Sequence, residues 1–149
     1  MRRKILVVTF VVYLCVVASL TIVPTHLSPI RIRSSDANHI NLIPLDYSFR
    51  CFRQDARMHP QLTAFCLRNT LGNVALFMPL GILLPLIDTR FRTLKRVLIL
   101  ALCLSLMIET VQFLLRFVGN PRAVDIDDVL LNTLGACLGF LIYRRLKAR

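Results

Sequence analysis

Four largely apolar runs, each close to the length of a membrane span, dominate this 149-residue chain. They cover residues 5–23, 69–87, 94–118 and 126–143. A helix needs ~20 apolar residues to cross ~30 Å of hydrocarbon at ~1.5 Å per residue. None of the runs alternates polar and apolar residues as barrel strands do. Backbone groups in lipid must be satisfied within the segment, so each run reads as a helix. Composition agrees: hydrophobic residues make up 56% and charged residues 18%. Soluble domains average ~45–50% and ~25%. A soluble domain of this size buries only ~70% of its unfolded surface, too little to hide so many apolar side chains. The expected fold class is all-α: a single polytopic membrane domain, a bundle of four transmembrane helices. A long extracytoplasmic loop, residues 24–68, joins the first helix to the second.

The net charge of +11 would suggest nucleic acid in a soluble protein. Here the basic residues gather at the ends of apolar runs, and no DNA- or RNA-binding motif accompanies them. They read as topology signals and lipid-headgroup contacts. With the N-terminus inside, eleven of the 19 Lys and Arg fall in three short inner segments, Met1–Lys4, Asp88–Arg96 and Arg144–Arg149. The much longer outer segments, Pro24–Arg68 and Gly119–Asp125, hold seven. This asymmetry places both termini in the cytoplasm of a multi-pass cell-membrane protein. The first run has the basic start of a signal peptide, and Val16-Val17-Ala18 resembles a cleavage site. Its apolar stretch continues through Leu20, Ile22 and Val23, which favours an uncleaved anchor.

The outer loop contains Pro24, Pro29, Pro44 and Pro60 and all three histidines, His26, His39 and His59. Their spacing is not a zinc pattern, and no CxxC is present. No metal or cofactor is expected. Cys15, Cys103 and Cys137 fall inside helices as small apolar residues. Cys51 and Cys66 lie in the outer loop, as a disulfide or as two free thiols.

Ionisable side chains cost roughly 2.5–3.5 kcal/mol each at the centre of a membrane helix on insertion scales, which makes them functional candidates. In the third run Ser105, Glu109, Gln112 and Arg116 share one helical face. In the fourth, Asp125, Asp128, Asn132, Gly135 and Gly139 share another. Asn69, Asn73, Phe77 and Gly81 line a stripe of the second. Counting inward from the basic ends, Glu109, Asn73 and Asp128 all lie roughly 20–24 Å from the cytoplasmic boundary. One polar site in the outer half of the bilayer follows, closed from the cytoplasm. Arg68, Arg116 and Arg122 are the expected partners of Glu109 and Asp128, because a buried carboxylate needs a partner or a shifted pKa. Asp127 points to another face and is expected to be solvated or paired at the interface. The bland alternative makes the amides and the Gly135/Gly139 GxxxG into helix glue, within the chain or between copies. Pro79 and Pro85 should kink the second helix or accommodate packing.

Four segments together resemble the VanZ-like membrane proteins. They are Asn41-Leu42-Ile43-Pro44-Leu45; Asn73 through Gly81; Ile108-Glu109-Thr110-Val111-Gln112; and Arg122 through Gly135. The resemblance runs from Asn41 to Tyr143. One departure is Gly119-Asn120-Pro121-Arg122, where the family commonly has Gly directly before Arg. The family's shared residues fall on Asn73, Glu109, Gln112, Arg122, Asp125, Asp128 and Asn132, which become the candidate ligand-binding set. The resemblance implies small multi-pass proteins, some linked to reduced sensitivity to teicoplanin, a lipid-tailed glycopeptide.

The first functional reading is non-catalytic. The polar site binds an amphiphile at the outer leaflet: a membrane lipid, a lipid-linked cell-wall precursor or a lipoglycopeptide. Carboxylates and amides suit hydroxyls and amines, and apolar flanks suit an acyl tail. The alternative is a membrane-embedded enzyme acting on a lipid headgroup through Glu109, Asp125 and Asp128, as acid/base groups or around Mg²⁺. No nucleophile or catalytic motif is visible. Sequence leaves the catalytic residues, the ligand and the oligomeric state undetermined.

Overall fold

The computed structural model describes residues 2–22, 40, 41, 43, 44, 49, 60–118 and 124–148. Among them are four long helices: α1 (Arg2–Ile22), α2 (Pro60–Ile87), α3 (Leu94–Leu115) and α4 (Ile126–Lys147). Each is long and apolar enough to cross a membrane. A 3-10 turn, Thr89–Phe91, links α2 to α3, and a second, Arg116–Val118, extends α3. Two short strands, β1 (Ile40–Asn41) and β2 (Val124–Asp125), pair in parallel, Ile40 opposite Val124 and Asn41 opposite Asp125. The sequence offers no sign of this pairing.

Helix α2 is longer than its apolar run. It starts at Pro60, nine residues before Asn69, and takes in part of the expected loop. Proline suits that end, because its missing N–H would be unsatisfied in the first turn anyway. The helix continues through Pro79 and Pro85 to Ile87.

The bundle is organised around α2 and α4. Gly81, Gly135 and Gly139 make their contact possible. A methyl group at Gly135 would overlap the Val74 carbonyl, one at Gly139 the Met78 carbonyl, and one at Gly81 the Ala136 carbonyl. The GxxxG is therefore a seam inside the chain, and the reading of Gly135/Gly139 as a contact between copies is corrected. With hydrocarbon as solvent, close backbone approach and dispersion hold helices together, and only small residues allow it. Below the seam lies an apolar core of Phe77, Leu80, Leu84, Val97, Ala101, Ile108, Ala136 and Phe140. Helix α1 is attached more lightly. Val17 packs into the core with Phe10 and Tyr13 beside it, and the Tyr13 hydroxyl donates to the Leu76 carbonyl at 2.8 Å. Most of the remaining surface of α1 is exposed apolar side chain.

Cys66 is buried and disulfide-bonded, while Cys15, Cys103 and Cys137 are free. Cys51, the partner the sequence offers Cys66, lies outside the described residues.

Candidate functional site

The polar stripes of α2, α3 and α4 meet at one end of the bundle. On α4 the cluster begins with a helix cap. Asp125 has extended backbone (φ −133°), and its Oδ1 accepts the Asp127 N–H at 3.0 Å. An N-cap aspartate satisfies one of the helix's orphan donors and places its charge at the positive end of the macrodipole. The same Oδ1 accepts Asn41 Nδ2 at 3.1 Å. The β1–β2 pairing and this bond fasten the segment before α2 to the start of α4. The Asp125 backbone N–H donates to Glu109 Oε2 at 3.3 Å, drawing α3 into the same junction.

Asp128 lies one turn further along α4 and faces α2. Its Oδ1 accepts Asn69 Nδ2 at 3.2 Å and Asn73 Nδ2 at 2.5 Å. Asn69 and Asn73 are four residues apart, so one helix face presents both amides to a single carboxylate oxygen. One turn deeper, Asn132 Nδ2 donates to Ser105 Oγ at 2.8 Å and joins α4 to α3. The Asn132 Oδ1 is buried and accepts no hydrogen bond. Gln112 Nε2 donates to the Thr21 carbonyl at 2.8 Å, tying α3 to the end of α1.

Six of the seven candidate residues therefore stand in one region: Asn73, Glu109, Gln112, Asp125, Asp128 and Asn132. The seventh, Arg122, lies outside the described residues. Glu109 is 8% exposed, and both Asp125 and Asp128 lie within electrostatic reach of it. Asn69 and Asn41 belong to the cluster too. Asn69 carried an ambiguous signal, one turn from Asn73. Asn41 stood in the Asn41–Leu45 segment, and only the chain's path shows that it reaches Asp125.

Two expectations are corrected. Of the two expectations for Asp127, the solvated one fails, since the residue is 1% exposed. Arginine was also the expected partner of Glu109 and Asp128. Among the described residues their hydrogen bonds come from amides and one backbone N–H. Arg68 and Arg116 have other interactions, the Phe113 ring lying 5.8 Å from the Arg116 guanidinium, and Arg122 lies outside the described residues. An asparagine amide brings two donors with less desolvation than a guanidinium, so it suits a position well inside a bundle.

Among the described residues, no three His, Cys, Asp or Glu side chains converge in a way that could hold a metal ion. The arrangement offers carboxylate oxygens, amide groups and one unpartnered amide oxygen, lined up along the α3–α4 seam.

Comparison with curated proteins and with solved structures returns no match. A model of one protein family, VanZ/LLP1, matches residues 10–147. That match spans the second half of α1, the junction of Asn41 with Asp125, the glycine seam and the whole polar cluster. The chain belongs to the VanZ/LLP1 family.

Proposed function

We propose that the protein binds the polar head of an amphiphile at this cluster, without catalysis. The ligand is a membrane lipid, a lipid-linked cell-wall precursor or a lipoglycopeptide. Binding there lowers sensitivity to teicoplanin-like antibiotics. In this reading both termini are cytoplasmic and the cluster faces the outer leaflet of the cytoplasmic membrane. One observation carries the proposal: Glu109 and Asp128, in a bundle fit to span a membrane, draw their donors from amides and a backbone N–H among the described residues. The cluster therefore has acceptor capacity left for hydroxyls or an amine, and apolar helix surface on either side for a tail.

The test is lipid identification by mass spectrometry on gently solubilised protein, with Glu109→Gln as comparison. The reading expects one lipid class enriched over the bulk membrane and lost in Glu109→Gln. It also expects a matching change in teicoplanin sensitivity at equal expression. The same lipids and the same sensitivity in both proteins would overturn it.

A second reading, an enzyme acting on a lipid headgroup, draws on the junction where the Asp125 N–H meets the Glu109 carboxylate, with Asp128 one turn further along α4. Neighbouring carboxylates in different surroundings can divide acid and base roles. Product formed from a labelled lipid-linked precursor by purified protein would move the conclusion to this reading.

A further inference from the structure

The opposite end of the bundle carries a second polar feature of opposite sign. A cavity of about 300 Å³ opens there, lined by Arg92, Tyr143, Arg144, Lys147 and Ala148. Two separate elements build it: the turn between α2 and α3, and the last turn of α4. The turn is held in shape by its own bonds. Asp88 Oδ1 accepts the Arg90 N–H at 2.9 Å, and the Arg96 guanidinium donates to the Arg90 carbonyl at 2.9 Å. Phe91 packs against the core and fixes the turn beside α4. Arg92 follows directly and is thereby set against Arg144 and Lys147.

Cations in the last turn of a helix are ordinarily explained by the macrodipole, whose negative end they complement. That accounts for Arg144 and Lys147. It does not account for Arg92, which comes from another element and adds a full charge to the three that Arg144, Arg145 and Lys147 already bring to a terminus worth only about half a unit of negative charge. Tyr143 supplies an independent observation. The residue is 5% exposed, its ring lies beside Phe140, and it lines the cavity, which adds a phenol to the cations around it. Two guanidiniums, an ammonium and a phenol around one hollow form a donor-rich set with no carboxylate among them. Forked guanidinium donors match the oxygens of a phosphate group.

We propose that this cavity is a phosphate-binding site, occupied by the phosphodiester headgroup of an anionic phospholipid. The lipid source follows from the surroundings: Ile142 and Leu146, on the same last turns of α4, are exposed and apolar. They provide the surface along which an acyl chain would lie. Basic pockets at the ends of membrane helices hold anionic headgroups by this chemistry. The site is distinct from the carboxylate–amide cluster and does not depend on its function.

The test compares two double variants that remove the same charge. Arg92→Gln with Arg144→Gln empties the cavity of guanidinium; Lys95→Gln with Arg145→Gln removes two exposed cations nearby that do not line it. Phosphatidylglycerol retained by the purified protein is measured by native mass spectrometry. The proposal expects retention to fall about tenfold or more in the first variant, as the loss of charge-assisted hydrogen bonds predicts. In the second it should fall less than about twofold, as for exposed, screened charges. Tyr143→Phe, which keeps the packing and removes one hydroxyl, should lower retention by about threefold, the worth of a modest hydrogen bond. A competition arm with inorganic phosphate identifies the source. Failure of millimolar phosphate to displace the lipid supports the lipid headgroup as occupant. Full displacement, with equal thermal stabilisation by phosphate alone, would overturn the lipid assignment. Equal losses in the two double variants, together with no effect of Tyr143→Phe, would overturn the site itself.

Discussion

The α2–α4 seam and the attachment of α1 are two solutions to the same problem, and they differ sharply. Between α2 and α4, three glycines bring backbones into direct contact, and Asp128 closes the upper end against two asparagines. Helix α1 instead leans on the bundle through Phe10, Tyr13 and Val17, with two backbone carbonyls, those of Leu76 and Thr21, linking it to its neighbours. In the apolar window of α4, 44% of residues are buried; in that of α1, 6% are. In lipid, hydrophobicity alone does not choose a partner, because the tails are as apolar as leucine. Where small and polar residues are patterned, a helix is fixed in place; where they are missing, it is only inserted. The seam frames the candidate site, and α1 covers one side of it.

That contrast can be broken at the seam first. Gly139→Leu should have the largest effect, about 3 kcal/mol or more, because its side chain meets the Met78 backbone and cannot be accommodated by a rotamer change. Denaturant titration of helical circular dichroism in micelles would show it, and unchanged stability would mean that the seam is not close-packed. Asp128→Ala comes next. It leaves the Asn69 and Asn73 amides without their shared acceptor, at about 1–3 kcal/mol. Thermal unfolding of the variant beside the triple substitution Asn69→Ala, Asn73→Ala and Asp128→Ala separates unpaired donors from lost packing. Much of the loss should be recovered when all three are removed.

Smaller effects sharpen the contrast. Ser105→Ala should cost about 0.6 kcal/mol, the average of interhelical polar contacts measured in membranes. Paired with Asn132→Leu in a double-mutant cycle, it should show coupling of similar size; zero coupling would dissolve that link between α3 and α4. Smallest of all, Tyr13→Phe should lower global stability by at most about 0.6 kcal/mol, since it removes one bond to a helix that is otherwise loosely held. A drop as large as that of Asp128→Ala would show that α1 is as firmly integrated as α4.

Much of this architecture is legible in the chain. The four apolar runs announce the helices, and the spacing of Ser105, Glu109 and Gln112 on α3 and of Asp125, Asp128 and Asn132 on α4 places their polar faces inward. Equal depth of Asn73, Glu109 and Asp128 predicts that they share a height, and they do share one end of the bundle. What the residues do not disclose is pairing. A glycine repeat states that something comes close, and the choice of α2 over another copy depends on three-dimensional register. Asn41 meets Asp125 across 84 residues through a parallel pairing that has no local signal. The start of α2 at Pro60 was hidden for a simpler reason: Gln61, Thr63 and Arg68 interrupt the apolar pattern although they continue the helix. Asp127 falls off the stripe of Asp125, Asp128 and Asn132, so helical periodicity does not disclose that it is buried.

The central claim is that α2 and α4 bring amide and carboxylate into contact to form one site. Cysteine crosslinking in native membranes tests it most directly. With the free cysteines Cys15, Cys103 and Cys137 replaced by serine, Asn73→Cys combined with Asp128→Cys should be joined within one chain by a short bifunctional thiol reagent, since the two native side chains are in hydrogen-bond contact. Lipid-facing Leu71→Cys combined with Asp128→Cys should not. Absence of the first crosslink, or equal formation of both, would contradict the account.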